Sequence, residues 1–459
     1  MIKKFIKKLL RYDEVQKAQI IKEHNIKKQD ISSNALTIIK TLQSHGFNAY
    51  VVGGAVRDLL LGVKPKDFDV ATNATPTEIN KLFHKSRIIG KRFQIVLIPF
   101  YRGRDQEVIE VTTFRAMLKN DGVMLIKDQT HRKQALHTKV AMDSSGQVWS
   151  DNVWGNHDED ASRRDFTINS LYYDPNENII FDFYNGIKDL EDKILRMIGE
   201  PKIRYKEDPA RILRIARFAA KTGFKIEAKT LAPIAEHAPL LANIPPARLS
   251  DELLKMLMSG YASKCIQSLK EIKSDKYVLP WYEVNNKDSL SFIDLVLKKT
   301  DERLMENKSV SSGFIFAAIY WPLVLKSWAE FAANHPHIES LHLAIIHVTA
   351  PLQLQRRVIA DMQEIWLMQT NLEKRLKSKV QKILEHNKFR ACYDFLVLRS
   401  VVDNKLKPLA DWWTIFQEVD KIQQEQMIKN IKIEKVQVKR KRVRKRKSNA
   451  VKAKPKTLE

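Results

Sequence analysis

Residues 50–73 read YVVGGAVRDLLLGVKPKDFDVATN, and the order of parts in them is more informative than any one residue. An apolar strand ends at Val52, Gly53-Gly54 make a turn, and Ala55–Leu61 form a short helix stopped by Gly62. A Lys64-Pro65-Lys66 turn follows, and Asp67-Phe68-Asp69-Val70 opens a second strand. Successive strand side chains point to opposite faces, so Asp67 and Asp69 aim at one point while Phe68 and Val70 bury behind them. Two carboxylates placed this way can hold Mg²⁺, which takes oxygen ligands and meets protein through one or two carboxylates plus substrate phosphates. Gly53 and Gly54 let backbone N–H groups approach a triphosphate, and Arg57 adds positive charge. Gly-Gly before a helix is often only a tight turn, so the weight rests on the full order.

The rest of the composition points the same way. The chain has 459 residues, enough for about three domains, and 44% of them are apolar, ample for packed cores. A formal charge of +25 implies a polyanionic partner, nucleic acid or an anionic membrane surface. Only Cys265 and Cys392 are present, without metal-ligand spacing, which fits a reducing cytosol rather than a disulfide framework. No apolar run approaches the ~20 residues of a membrane span and no signal-peptide pattern is found, so a cytoplasmic chain is expected.

Along the chain, residues 1–30 are polar and basic, and a helix starts near Ser33. Strands are expected at Ala49–Val52, Phe93–Pro99, Val108–Thr112, Phe166–Tyr173 and Ile179–Phe183, in one mixed sheet carrying helices. Beyond Asp189 the pattern turns helical, with few strand signals, to about Glu434. Residues 436–459 are low-complexity and basic, and Lys439, Arg440, Lys441, Arg442, Arg444, Lys445, Arg446 and Lys447 cannot bury enough apolar surface to order themselves. In residues 2–10 the apolar Ile2, Phe5, Ile6, Leu9 and Leu10 oppose four lysines, an arrangement that suits weak contact with an anionic membrane, docking on the protein itself or a frayed end.

The Gly-Gly-Ala-Val-Arg-Asp and Asp-Phe-Asp string resembles the nucleotidyltransferase fold of the DNA polymerase beta superfamily, in the branch of bacterial poly(A) polymerases and CCA-adding enzymes. The resemblance implies an α+β architecture: a head with a mixed sheet over 31–188 after the 1–30 extension, a helical neck over 189–265, a helical body over 266–434, and a disordered basic tail over 435–459. Asn152-Val153-Trp154-Gly155-Asn156, a lengthened Arg115–Asp160 connection, Ile244-Pro245-Pro246-Ala247-Arg248-Leu249 and the basic tail resemble the poly(A) polymerase I side of the branch. The likeness is close over about 24–265 and weak over about 280–430.

Three groups of site residues follow. A third acidic ligand is expected beside the aspartate pair, and Glu110 is best placed, because its neighbours in Val108-Ile109-Glu110-Val111-Thr112 are of the inward-packing type. A solvent-facing strand glutamate would look the same; the family's Glu-Val-Thr-Thr-Phe-Arg segment implies the ligand role, with Arg115 near phosphate. Ser162-Arg163-Arg164-Asp165-Phe166-Thr167-Ile168-Asn169 offers forked donors for a triphosphate, although an ordinary Arg-Asp surface pair has the same composition. The family motif implies that Arg163, Arg164, Asp165 and Asn169 serve the nucleotide, Asp165 in the catalytic group. In Glu207-Asp208-Pro209-Ala210-Arg211, Asp208-Pro209 reads as a helix start, and Ile212, Ile215, Ala216 and Ala219 form the buried stripe. Arg211, Arg214 and Arg217 stand on another face, where solvation is the commonest fate; the family implies that Glu207, Asp208, Arg211 and Arg214 serve the nucleotide and that Asp208 and Arg211 read its base.

The resemblance thus implies template-independent transfer of AMP from ATP to RNA 3′ ends, with two Mg²⁺ (or Mn²⁺) held by Asp67, Asp69 and Glu110. Further expectations are a monomer, RNA contacts through the basic tail, and partners among RNA-decay proteins. A CCA-adding enzyme acting on tRNA and a non-catalytic RNA-binding protein are the competing classes; the intact carboxylates weigh against the second.

Overall fold

The computed structural model describes residues 17–90, 94–102, 105–115, 124–126, 140–143, 148–151, 154–280, 284 and 286–431. The amphipathic stretch 2–10, the basic run 439–447 and Asn152-Val153 lie outside the described residues. The chain divides into two compact units, Met1–Leu367 and Met368–Glu459. That division falls inside the stretch expected as a single helical body.

Eight strands make the main sheet of the first unit: β1 (Gln19–Ile21), β2 (Ala49–Val52), β3 (Asp69–Thr72), β4 (Arg87–Ile89), β5 (Ile95–Arg102), β6 (Asp105–Thr113), β7 (Leu171–Asp174) and β8 (Ile179–Asp182), in the order β1-β8-β7-β2-β3-β6-β5-β4. Only β3 and β6 pair in parallel, and their register sets Asp69 opposite Glu110. Strands β2 and β7 are buried along their whole length, as their apolar and aromatic sequences require. Helix α1 (Ser33–Ser44) starts at Ser32, whose Oγ accepts the Asn34 and Ala35 N–H groups, and it buries Ala35, Ile38, Ile39 and Leu42. Burying each such side chain is worth about 1.5–3 kcal/mol.

On another part of the core, Tyr50, Val52, Ala71, Phe114, Ala161, Tyr172 and Phe183 pack together. His157, at the start of α4 (His157–Arg163 in the chain), stacks on Tyr50 and Phe114 at 4.7 and 5.3 Å between ring centres. Burial pushes its imidazole down to about 4, so it sits there as a neutral aromatic. Helix α2 (Gly54–Leu60) and helix α3 (Pro76–Leu82) flank β3 in the chain.

Several expectations are corrected. The run Phe166–Tyr173 is not one strand: Phe166 makes an isolated bridge to Met197, Thr167–Asn169 form a 3-10 turn, and β7 begins at Leu171. The cause is local, because Asp165 accepts the Phe166 N–H and the Asn169 side chain, bonds that compete with a sheet ladder. Gly186 lies so close that an added Cβ would stand 2.4 Å from the Thr167 carbonyl oxygen, which leaves glycine as the fitting residue. The Arg115–Asp160 connection carries a small sheet of Met124–Ile126, Val140–Asp143 and Val148–Asp151. A two-stranded parallel pair, Ile194–Leu195 with Lys225–Ile226, also interrupts the region expected to be helical.

From α5 (Gly186–Glu191) onward helices otherwise dominate, including α6 (Pro201–Glu207), α7 (Ala210–Thr222), α8 (Pro246–Leu257) and α9 (Ala262–Glu271). The helix Ser312–Ala332 overturns the expectation that no segment is long and apolar enough to cross a membrane: by length and composition it is, with 21 residues and a mean hydropathy of 1.2. Half of its apolar window is buried inside the fold, with Ile315, Phe316, Ile319, Trp321 and Val324 inward, as in a core helix.

Candidate active site

A cleft of about 790 Å³ gathers the residues of all three motifs. Its floor is the end of the sheet where β2 gives way to α2. Gly53 has φ +71°, in the left-handed region where a side chain is strained, and a Cβ there would stand 3.3 Å from an Arg164 nitrogen. Glycine therefore brings the backbone and Arg164 together. Asp69 is the first residue of β3, and Asp67 lies just before the strand rather than in it. The alternation survives, since Phe68 and Val70 are buried while Asp67 is exposed.

Glu110 is exposed on β6 between buried Ile109 and Val111, and it pairs in register with Asp69. Burial, together with Glu110 and Asp67 and against the pull of Arg164, pushes the Asp69 carboxyl up to about 6. Like charges converging on Asp69, offset only in part by Arg164, are what a bound divalent ion would relieve. Among the described residues no three acidic, histidine or cysteine side chains form a ready-made metal cluster. Asp69 and Glu110 in register, with Asp67 acting on Asp69, bring together carboxylate oxygens, the donor type that Mg²⁺ takes alongside substrate phosphates and water.

The opposite wall is built from paired charges. The Asp165 Oδ2 accepts Arg214 at 2.7 Å from Nε and 2.6 Å from Nη2, and its Oδ1 accepts the Phe166 N–H and Asn169 Nδ2. Burial alone would raise this carboxyl; Arg214, Asn169 and the Phe166 N–H outweigh it and hold it at about 2. Both oxygens are committed, so Asp165 anchors its neighbours and does not carry protons. Arg164 donates to the Tyr172 hydroxyl, the Asn169 carbonyl and Asp160; burial opposes its charge, but Tyr172 and Asp160 raise its pKa further. Arg163 lines the cleft, and burial, then Arg115 and Arg204, pull its guanidinium down to about 9.

Arg57 also lines the cleft, yet its Nε and Nη2 donate to Asp58 and its Nη1 to Asn169, so three of its donors brace the wall. Asp208 accepts the Ala210 N–H, at the first residue of α7, and Arg248 Nη2, the latter at 2.6 Å, and it lines the cleft; the residue that precedes α7 is Pro209, and Asp208 closes α6. Arg211 Nη1 donates to the Arg204 carbonyl and to Glu207. Glu207 holds Arg211 and is not part of the lining, and neither is Arg115, which donates to the Gln94 carbonyl.

The sequence reading missed Asp58, Lys66, Phe218, Lys221, Arg248 and Lys255, all of which line the cleft. Lys221 donates to Asp58 Oδ2 at 2.8 Å, tying α7 to α2. A signal for it existed: Lys221 follows Arg214 by two helical turns, on the same face. Arg248 belongs to a different helix, and only the fold brings it to Asp208.

Three family models match the chain: the poly A polymerase head domain at residues 49–196, the probable RNA and SrmB-binding site of polymerase A at 223–284, and the polymerase A arginine-rich C-terminus at 333–448. A poly(A) polymerase I from Salmonella typhi is 40% identical, covering 86% of this chain and 84% of its own length. The Haemophilus influenzae protein of that name is 39% identical, covering 88% and 89%. A CCA-adding enzyme from Lactobacillus helveticus is 36% identical, over 52% of this chain and 53% of its own. Among solved structures, the Bacillus stearothermophilus CCA-adding enzyme in complex with CTP matches with a TM-score of 0.53 at 24% identity, covering 82% and 80%, a likeness of fold. Shared identity over most of both chains, beside a head, an RNA-binding and an arginine-rich segment in order, shows that this protein belongs to the poly(A) polymerase I family.

Proposed function

We propose that this chain adds AMP from ATP to RNA 3′ ends without a template, releasing pyrophosphate. The observation that carries the reading is the meeting, in one cleft, of the in-register carboxylates Asp69 and Glu110 with the helix that presents Asp208 and Arg211. In this reading Asp67, Asp69 and Glu110 hold divalent cations, two Mg²⁺ with Mn²⁺ able to substitute. The chemistry such ions supply when bound is Lewis acidity at the attacking hydroxyl and charge neutralisation on the triphosphate. Gly53 and Gly54 give the nucleotide close backbone approach. Arg163 and Arg164 orient its phosphates, and Asp165 and Asn169 hold Arg214 and Arg57 in the wall that confines it. Asp208 and Arg211 read the base edge, each fixed by a partner outside the cleft's reactive end, so the donors and acceptors are set before ATP arrives.

No side chain is needed to carry the proton of the 3′-hydroxyl, which leaves to water. The basic run Lys439–Lys447 gathers RNA phosphates without reading bases. Both cysteines are buried and free, which suits a cytoplasmic enzyme. The test is incubation of the protein with a short RNA and each labelled nucleotide triphosphate in turn. Long products from ATP alone are expected. Incorporation of CTP, with arrest after three additions, would place the chain with the CCA-adding enzymes instead.

A further inference from the structure

Phe218, on α7, carries three guanidinium groups: Arg57 at 5.2 Å, Arg214 at 5.7 Å and Arg217 at 4.6 Å from its ring centre. The ring is itself fixed, buried and in edge contact with Phe166. Arg57 has Asp58 and Arg214 has Asp165. Arg217 differs: among the described residues it makes no hydrogen bond or ion pair, and its Nε is buried without a partner. Glu252 acts on Arg214 and Arg217 electrostatically, but its Oε2 also lacks a partner and its Oε1 faces Lys255 at 3.5 Å. A ring contact satisfies none of a guanidinium's N–H groups, so Arg217 lines the cleft with donors that no acceptor among the described residues takes up.

The position says what those donors would meet. Arg217 is six residues past Arg211, about 9 Å along the helix axis, and Lys255 and Ser259 line the same cleft. Lys255 and Ser259 lie in the segment matched by the model described as a probable RNA-binding site. Phosphate is the ligand that a planar, always-charged fork suits best.

We propose that Arg217, seated on Phe218 with Lys255 nearby, is a subsite for a backbone phosphate of the acceptor RNA. This rests on the reading that the RNA 3′ end enters this cleft. It assigns Arg217 to the acceptor strand rather than to the nucleotide.

The experiment compares R217Q, which keeps planarity and loses charge, with R217K, which keeps charge and loses the fork. Binding of a labelled oligoadenylate is followed by anisotropy across salt concentration, and steady-state KM is taken for RNA and for ATP. For R217Q, affinity for the RNA should fall about tenfold, the loss of one charge-assisted contact, and the slope of log K against log salt should flatten by about 0.7. R217K should keep the wild-type slope, while KM for ATP stays within about twofold in both. A rise in KM for ATP with RNA affinity unchanged would assign Arg217 to the triphosphate and overturn the proposal. So would equal losses in both variants, or no loss in either. Because the anisotropy arm uses no nucleotide, it reads the subsite even if the enzyme added something other than AMP.

Discussion

The two sides of the cleft treat their carboxylates in opposite ways. On the sheet side, burial and the like charges of Glu110 and Asp67 push Asp69 up to about 6, and Arg164 compensates them only in part. On the helical side, Asp165 and Asp208 each receive an arginine, at 2.6 Å, and Asp165 is held at about 2. Charge left in tension marks where a ligand completes the structure, whereas charge already paired marks the frame that holds the ligand in place. Removing the first kind should cost activity and leave the fold alone. Removing the second should cost the fold first.

The largest effect that tests this contrast is Asp69→Ala. Primer extension should fall by at least about a thousandfold, while the melting temperature stays level or rises slightly as repulsion with Glu110 is relieved. Activity within tenfold of wild type would break the comparison at its sheet side. Next is Asp165→Ala, which leaves Arg214 in the wall without its partner; denaturant unfolding should show a loss of about 3 kcal/mol, and the unchanged stability of this variant would break the helical side.

A smaller effect sharpens the same point through pH. Asp165 is depressed from about 4 in the unfolded chain to about 2, so its contribution is present above about pH 4 and is lost as pH falls toward 2. In acid titrations of stability, wild type should lose about 2 kcal/mol over that range relative to Asp165→Ala, whose curve lacks that component. Parallel curves would mean that the Arg214 pair does not hold the carboxyl down. The smallest expected effect is in selectivity: Arg211→Ala should narrow the preference for ATP over CTP and GTP by about tenfold, measured as a ratio of kcat/KM. An equal drop for every nucleotide would make Arg211 a brace, like Glu207 beside it.

Much of the sheet side was legible in the sequence because its chemistry is local. Asp67 and Asp69 are two residues apart, Glu110 lies between inward-packing neighbours, and strand alternation fixes where each points. The failures there were of extent: the strand begins at Asp69, and Thr167–Asn169 turn instead of extending. The helical side was legible only as a list of charges. Periodicity placed Arg211, Arg214 and Arg217 off the buried stripe, where solvent is the ordinary outcome, and could not say that Arg214 would meet a carboxylate 49 residues away. It also gave no hint that three guanidiniums share the Phe218 ring.

The sequence by itself determined the parts with short-range causes: the glycine turn, the paired carboxylates, the helix start after Asp208-Pro209 and the large positive charge. The tertiary structure alone decided which charges are partnered. Ion pairs such as Lys221 with Asp58 or Arg248 with Asp208 depend on which helices pack together, and that packing is set by the summed burial of many apolar side chains. Strand and helix periods fix the direction of a side chain relative to its own element. They carry no information about what stands opposite, and in this cleft what stands opposite separates the residues that wait for a ligand from those that build its frame.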